Sequence, residues 1–535
     1  MNSSLKKLKR RRFNEINNRL KKINAEDVRS FLLKSGYFPE SQFLPNDFFT
    51  TKKLVEKDVL KKIKELKHEN SDEGTPSFLF FPKSKYAIRA LGVPPIENYL
   101  HLSNFIADNW KKISTHLRLG DNDLIIPYSY PLFFKGKKRS DIGINNYKLY
   151  SELDIPRAVN LFNYGILLDI KNFYPSVYTH TLAWCLDSKT KEKKERCNFE
   201  NWANKFDSLT RKLYKSRTKG LLIGPCTSDL ASEILLRTID RDISRKILNR
   251  KNNIIGFRFK DDYVLFSDTV EDADFIIKEI QHIFNEYHLE ANENKTRIIH
   301  TDSFEDKKTW KVEVEILKNE INEVYEMVNE DGLLKIPEKK IRLWMKKIQN
   351  LYQIYNDEYI IKTILGNLIR EGVNSISITK NTTTSCPHTV ALADVYISIF
   401  SYLSCLCKKV PSSWPLFLIF ICLCLEGSAN EAIERAIRTF IHNLAESFTK
   451  SGDSVSLIWA LYVFWRCKID IDSNLKKKIK NKYSEDNWLI MSFIDSNAGV
   501  FSISGGTRLE LVNKKYEDLQ PLFKVVSIFG YGSKN

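Results

Sequence analysis

The sequence predicts an α+β fold that is followed by an all-α region. Between about 160 and 290, the predicted elements alternate as strand, helix, helix, hairpin and helix. This order is typical of a sheet with helices covering one face. From about 340 onward strand signals nearly vanish, and apolar helical segments follow one another through short turns. We therefore expect the last third of the chain to form an antiparallel helical array.

The first strand of the predicted sheet is the short apolar run 164–169. Helices are predicted over 179–186 and from 228 to about 247. Thr227 or Ser228 is predicted to cap the second helix, whose apolar face begins at Ala231 and Ile234.

The hairpin lies at 254–266, where two runs rich in aromatic and β-branched residues flank the dipeptide Asp261-Asp262. Two adjacent carboxylates are costly to remove from water unless a cation meets them, and a divalent metal is one such cation. For a lone Asp-Asp pair, an ordinary solvated turn is the better explanation. The metal hypothesis therefore needs a third carboxylate at a strand end.

The helix after the hairpin is predicted to start at Thr269, which caps a first turn containing Glu271 and Asp272. Further along the chain, five segments are predicted to be helical and show no repeat of fixed period: 341–369, 389–407, 414–426, 430–448 and 455–465.

The composition favours a globular protein with a polyanionic partner. The 535 residues suggest about three domain-sized units, and 83 Lys and Arg against 66 Asp and Glu leave a net charge of +17. Such a positive charge favours binding to the phosphate backbone of nucleic acid, although it is also compatible with a role in solubility or in binding to a membrane surface. The basic N-terminus predicts an amphipathic helix, either packed on the body or contacting nucleic acid.

The nine cysteines have no framework spacing, which favours a reducing, cytoplasmic compartment. Cys405-Leu-Cys407 and Cys422-Leu-Cys424 lie in apolar segments, where we interpret the thiols as small hydrophobic groups and not as zinc ligands. The same segments are interpreted as buried core helices and not as membrane spans, because Asp394 interrupts the first and the second is too short.

A third carboxylate does exist. Asp169 ends the 164–169 run, and it would share a sheet edge with the hairpin if the two strands are neighbours. Carboxylates in this arrangement hold two divalent ions for in-line phosphoryl transfer. Hard oxygen ligands favour magnesium, with manganese as an alternative ion.

These residues carry a family resemblance. Asp169-Ile-Lys-Asn-Phe-Tyr174 resembles the first palm motif of reverse transcriptases, and Phe259-Lys-Asp-Asp262 resembles their Tyr-x-Asp-Asp motif with Phe in place of Tyr. Segments 220–233, 292–296 and 81–95 are similar to neighbouring palm and fingers motifs. The resemblance implies a right-hand polymerase whose fingers and palm combine an antiparallel sheet with helices. It covers roughly 75–300.

Within that superfamily the motifs look most like those of the bacterial antiphage-defence, or abortive-infection, reverse transcriptases, which also carry an α-helical C-terminal domain. The resemblance implies domains at 1–70 (basic helical segment), 71–310 (fingers and palm) and 311–535 (helical). It also implies deoxynucleoside triphosphates as substrates and nucleic acid as a partner, including a structured non-coding RNA. A homo-oligomer is left open.

The resemblance also assigns roles. Asp169, Asp261 and Asp262 are the expected catalytic metal ligands. Tyr174 matches the steric gate against ribonucleotides, with a core tyrosine as the alternative. The other candidates are Lys295, Arg89, Lys85, Gly224 and Pro225 at the nucleotide, and Lys135, Lys137, Lys138 and Arg139 at the nucleic-acid backbone.

Several departures from the family pattern leave the mode of synthesis open. Gly224-Pro225 replaces the Gln-Gly pair of retroviral and intron enzymes, and no primer grip is recognisable. Some defence enzymes start from a protein hydroxyl, which makes Tyr531 a candidate primer, although a tail tyrosine without function is the simpler interpretation. A retron-like or maturase-like enzyme and a non-catalytic nucleic-acid scaffold remain alternative hypotheses.

Overall fold

The computed structural model describes most of the chain. The described residues are 3–40, 43–66, 73–84, 87–130, 149–188, 198, 201–248, 253–303, 310–326, 338–379, 400–427, 431–483, 487–495, 498–503 and 507–513.

The N-terminal half is a mixture of helices and short strands, as predicted. Its helices are α1 Ser3–Lys22, α2 Ala25–Phe31, α3 Lys57–Glu65, α4 Ile96–Asp108, α5 Trp110–Leu117, α6 Ile155–Val159, α7 Phe173–Ser176, α8 His180–Leu186, α9 Trp202–Lys212, α10 Cys226–Leu248 and α11 Val270–Glu286. Short π or 3-10 segments lie at Leu32–Gly36, Lys52–Val55, Leu149–Asp154, Glu293–Lys295 and Thr301–Ser303.

Its strands form a hairpin and a five-stranded sheet. The hairpin pairs β1 Ser77–Pro82 with β2 Ile88–Val93. The sheet contains β3 Ile125–Pro127, β4 Tyr164–Asp169, β5 Ile254–Phe259, β6 Asp262–Ser267 and β7 Arg297–His300, in the order β3-β5-β6-β4-β7. The predicted strand at 164–169 and the predicted β5–β6 hairpin are confirmed. One feature differs from the expected antiparallel sheet, because β3 and β5 are parallel.

The helices that flank the sheet position its acidic edge. Helix α11 packs on β4, β6 and α10. The side chain of Thr269 accepts a hydrogen bond from the Asp272 backbone N–H, which confirms the predicted cap. The predicted cap of α10 at Thr227 or Ser228 is wrong. That helix already begins at Cys226, because the chain turns at Gly224 and Ser228 donates its backbone N–H to the Pro225 carbonyl.

Helix α1 confirms the amphipathic helix predicted at the N-terminus, and it packs on the body of the protein. Its buried residues include Leu5, Phe13 and Leu20. Arg12 is buried as well and forms an ion pair with Asp154 at 2.7 Å. The basic residues on the opposite face remain exposed.

The C-terminal half is mainly helical where it is described. It contains α12 Trp310–Glu326, α13 Glu338–Tyr355, α14 Glu358–Thr379, α15 400–409, the 3-10 turn Pro411–Ser413, α16 Trp414–Gly427, α17 Glu431–Ser451, α18 Ser454–Arg466, α19 Ser473–Lys482 and α20 Trp488–Met491. The segment 341–369 was predicted as one helix, but it is broken at Asn356, whose backbone is left-handed.

One strand pair in this half was missed by the sequence analysis. β8 Val500–Ile503 pairs with β9 Thr507–Glu510, and Val512 bridges to Phe49 near the N-terminus. Asp47 is buried between Tyr462 and Arg466 of α18, at 2.6 and 2.8 Å. The helical region therefore packs directly on the N-terminal part of the chain.

The two Cys-Leu-Cys pairs lie in α15 and α16. Cys407 and Cys422 are buried, as expected of small hydrophobic groups, whereas Cys405 is exposed. Within the described ranges, no helix combines the length and the apolar character needed to cross a membrane.

Candidate active site

The structure brings Asp169, Asp261 and Asp262 together where strand β4 ends and strand β6 begins. Strands β4 and β6 are antiparallel neighbours, and their register places Asp169 opposite Asp262. Asp261 lies in the two-residue turn that joins β5 to β6, and its carbonyl accepts the Ile170 backbone N–H at 3.3 Å. Asp169 and Asp261, which are 92 positions apart in the sequence, are thus brought together by direct strand pairing.

Two side chains from the segment 292–295 hold Asp169. Asn292 Nδ2 donates to Asp169 Oδ2 at 2.9 Å, and Lys295 Nζ lies 3.0 Å from the same oxygen. The Asn292 backbone N–H also donates to the Asp169 carbonyl at 2.7 Å. Burial alone would lower the pKa of Lys295, but the hydrogen bond with Asp169 and the negative charges of the three aspartates together outweigh burial, and the pKa is raised. Lys295 therefore stays protonated at neutral pH.

Crowding of the carboxylates changes their protonation. Burial, a hydrogen bond with Asp169 and the negative charge of Asp261 raise the pKa of Asp262 to about 7, although part of its side chain remains exposed. Burial is also the main cause of the raised pKa of Asp261, with Asp169 adding to it. Three carboxylates that face one another resist full ionisation, even with Lys295 beside Asp169.

The donor set suits a hard divalent cation, since all three groups are carboxylates. Among the described residues, however, no three acidic, His or Cys side chains are already arranged around a single ion position. At Asp169, both Lys295 and Asn292 engage one carboxylate oxygen. These residues fit a metal chemically, and a bound ion would have to compete with the Lys295 ion pair.

A buried network beneath the turn holds Lys260, the residue directly before Asp261. Lys260 has a left-handed backbone with φ of 54°, which is unfavourable for a residue with a side chain. Ser129 Oγ accepts its backbone N–H at 2.8 Å, and Arg258 Nη1 donates to its carbonyl at 3.1 Å. Side chains therefore fix both the backbone N–H and the carbonyl of Lys260.

The network is anchored in helix α10. Arg258 is fully buried and pairs with Glu233 and Asp240 of that helix, each at 2.9 Å. Ser129 Oγ donates to Glu233 at 2.6 Å. Sequence reasoning missed Ser129, Glu233, Asp240 and Arg258. The only available signal was the presence of charged residues on the apolar face of a predicted helix and inside a predicted strand.

Tyr174, the predicted steric gate, lies on α7, at the carboxyl end of β4. Its hydroxyl donates to Asp229 Oδ1 of α10 at 2.6 Å. The ring is only partly buried and rests against Phe173. Helix α10 thus contacts Tyr174 through Asp229, and its Glu233 supports the turn at Lys260 indirectly, through Ser129 and Arg258.

Gly224 and Pro225 lie in the loop before α10, where the chain passes close to β2. Gly224 has φ of 148°, and a Cβ on it would lie 2.7 Å from the Gly92 carbonyl oxygen, so that only glycine fits. Arg89 also lies on β2, opposite Phe81. Burial and, to a smaller extent, the positive charge of Arg89 lower the pKa of Lys362 on α14, which places Arg89 near that helix.

The remaining predicted site residues lie outside the described residues. They are Lys85, Lys135, Lys137, Lys138, Arg139 and Tyr531.

The comparison with protein families agrees with this geometry. Residues 111–351 match the family model described as reverse transcriptase (RNA-dependent DNA polymerase). This match supports a reverse transcriptase domain in that part of the chain, as the motifs predicted. No curated protein sequence matches the chain.

Two solved telomerases are among the similar structures. The telomerase of Candida albicans, in complex with a TWJ fragment of telomeric RNA, is 14% identical, with a TM-score of 0.29; the match covers 74% of this chain and 65% of that one. The apo telomerase of Candida tropicalis is 13% identical, with a TM-score of 0.29 and 77% of each chain covered. The chain thus spans just under two thirds of the first telomerase.

Proposed function

We propose that this chain uses its reverse transcriptase domain to synthesise DNA by two-metal nucleotidyl transfer. The observation that carries the proposal is the β4–β6 register, which sets Asp169 opposite Asp262 beside the Asp261 turn. In the reaction, a hydroxyl oxygen forms a bond to the α-phosphorus of a deoxynucleoside triphosphate, the hydroxyl loses its proton, and the bond to pyrophosphate breaks.

The three carboxylates would hold the magnesium ions, which neutralise the triphosphate and lower the pKa of the attacking hydroxyl when bound. Lys295 is protonated and lies against Asp169, and it would neutralise the leaving pyrophosphate or give it a proton. Tyr174 would crowd a ribose 2′-hydroxyl, with Asp229 fixing its ring. Gly224 lets the loop before α10 approach β2 closely.

The finer assignment follows the sequence resemblance. Residues 71–310 would be the fingers and palm of a right-hand polymerase, and 311–535 a helical domain. The protein would act in antiphage defence in a bacterial cytoplasm, together with a structured RNA or as an oligomer. Synthesis would be templated by RNA or template-independent, with Tyr531 as the candidate priming hydroxyl.

Removing the two hairpin carboxylates tests the proposal. Asp261→Ala combined with Asp262→Ala is expected to abolish magnesium-dependent incorporation of labelled deoxynucleotides while the thermal unfolding transition is retained, because the change removes mutual repulsion. The matched control is Glu271→Ala with Asp274→Ala, which removes two exposed carboxylates from α11. Polymerisation by the hairpin variant at the control's rate would show that the site is assigned wrongly.

The mode of synthesis is tested with each labelled deoxynucleotide, with and without RNA. Label that enters the nucleic-acid fraction only with RNA indicates templated copying, and label that enters without RNA indicates untemplated addition. Label that stays on the protein until protease treatment indicates protein priming. In that case Tyr531→Phe should abolish the protein-bound label.

A further inference from the structure

A second concave site lies at the other end of α10, away from the three carboxylates. It is a cavity of about 410 Å³ between the loop 118–123 and the last three turns of the helix. Arg237, Arg241 and Arg245 line it from the helix, and Arg118 lines it from the loop. Among the described lining residues, the four arginines carry positive charge and Asp123 carries negative charge.

The positive charge of this cavity is only partly compensated. Arg237 pairs with Asp123 at 2.9 Å, and Arg245 lies 3.2 Å from Asp242. Among the described residues, neither Arg118 nor Arg241 forms an ion pair with a carboxylate. Arg241 donates to the His116 carbonyl, and the buried Nε of Arg118 has no hydrogen-bond partner. Two guanidinium groups that line the cavity thus lack a direct carboxylate partner within the described residues, and Arg241 feels the charge of Asp123 only at longer range.

The spacing of the helix arginines makes this arrangement costly without a ligand. Residues four apart lie on one face of a helix, and like charges in such pairs repel. Burial and the positive charge of Arg237 lower the pKa of Arg241, in keeping with that repulsion. An anion in the cavity would remove the repulsion and satisfy the free donors.

The cavity is separate from the proposed catalytic site. Asp229, which binds the gate tyrosine, and Arg241 are 12 residues apart on α10, a distance of about 18 Å at 1.5 Å per residue. Strand β5 runs between the two regions, since Gly256 pairs with Leu124 beside the cavity while Lys260 lies at the catalytic turn.

We propose that this arginine cavity binds phosphate groups, as a phosphodiester backbone or as a free polyphosphate. The planar guanidinium fork matches phosphate oxygens in pairs. The volume is large enough for a nucleotide-sized group, and the overall charge of +17 favours such partners. The site would hold the ligand about 18 Å along α10 from Asp229.

The test measures binding of two probes, single-stranded RNA and inorganic tripolyphosphate, to the full chain by fluorescence anisotropy or calorimetry at several salt concentrations. Arg118→Gln with Arg241→Gln is expected to weaken binding by about tenfold or more, and to reduce the salt slope for RNA by about one for each phosphate that is no longer neutralised. Arg245→Gln, whose side chain is 75% exposed, serves as a second variant that leaves the buried contacts intact.

The matched control is Lys246→Gln, which removes the same charge from the next, exposed residue of α10 outside the cavity. An equal loss in this control, or no loss in either arginine variant, would overturn the proposal. Loss confined to RNA identifies a backbone site, and loss of both probes identifies a polyphosphate site. Binding is measured without deoxynucleotides, so that this test does not depend on catalysis.

Discussion

Replacing Ser129 with alanine should impair catalysis through the turn that carries Asp261, although Ser129 is not expected to touch the substrate. The variant leaves the Lys260 backbone N–H without its 2.8 Å acceptor and removes the 2.6 Å hydrogen bond to Glu233. Leaving a buried donor unsatisfied costs about 1–3 kcal/mol. The left-handed conformation of Lys260 adds to the tendency of the turn to relax.

The expected effect on the rate follows from that cost. If about 2 kcal/mol of turn stabilisation is lost in the transition state, turnover falls about 30-fold, because 1.36 kcal/mol corresponds to a factor of ten. The assay is steady-state incorporation of deoxynucleotides with magnesium in excess. We expect the fall in kcat with KM for the nucleotide nearly unchanged, since no predicted nucleotide contact is removed.

Two variants separate positioning from general loss of stability. Ser129→Thr keeps a hydroxyl and should restore most of the activity. Ser267→Ala removes a fully buried hydroxyl that bonds the Thr269 carbonyl at 3.0 Å, at the opposite end of β6, about 17 Å from Asp262. It should lower thermal stability but leave kcat intact. Wild-type turnover in Ser129→Ala, or equal losses in Ser129→Ala and Ser267→Ala, would refute the reasoning.

Three further predictions concern the gate, the lysine and the response to acid. Tyr174→Ala should weaken discrimination against ribonucleotides by up to about a hundredfold, whereas Tyr174→Phe keeps the ring and should retain it; unchanged selectivity in the alanine variant would remove the gate assignment. Lys295→Gln should slow incorporation about a hundredfold if the lysine supplies a proton, and a much smaller loss would limit it to charge neutralisation. Burial and the charge of Arg241 lower the pKa of His116 to about 3, so the folded protein keeps this residue neutral. The folding stability that depends on neutral His116 is present above pH 6.5 and is lost as pH falls toward 3, at up to about 1.4 kcal/mol per pH unit. Urea unfolding midpoints should therefore decline less with acid in His116→Gln than in the wild type. An identical decline in both proteins would contradict the prediction.

The sequence alone determined the local part of the site. Asp261 and Asp262 lie between two β-rich runs, and Asp169 ends a third, so each carboxylate could be placed at a strand end from residues next to it in the chain. The cap at Thr269 and the amphipathic helix α1 were predictable for the same reason, since capping and helical periodicity depend on neighbours a few residues apart.

The tertiary structure decided what surrounds those carboxylates. Ser129 reaches Lys260 across 131 residues, Lys295 reaches Asp169 across 126, and Tyr174 finds Asp229 across 55. No local sequence pattern identifies such partners, because the residues next to a buried polar side chain in the sequence do not indicate which distant residue will bond to it. The strand β3 was missed because three residues carry too little periodicity, and it exists through its pairing with β5. The presence of a carboxylate site could thus be predicted from neighbouring residues. The protonation and placement of the carboxylates depend on long-range contacts that form only in the folded sheet.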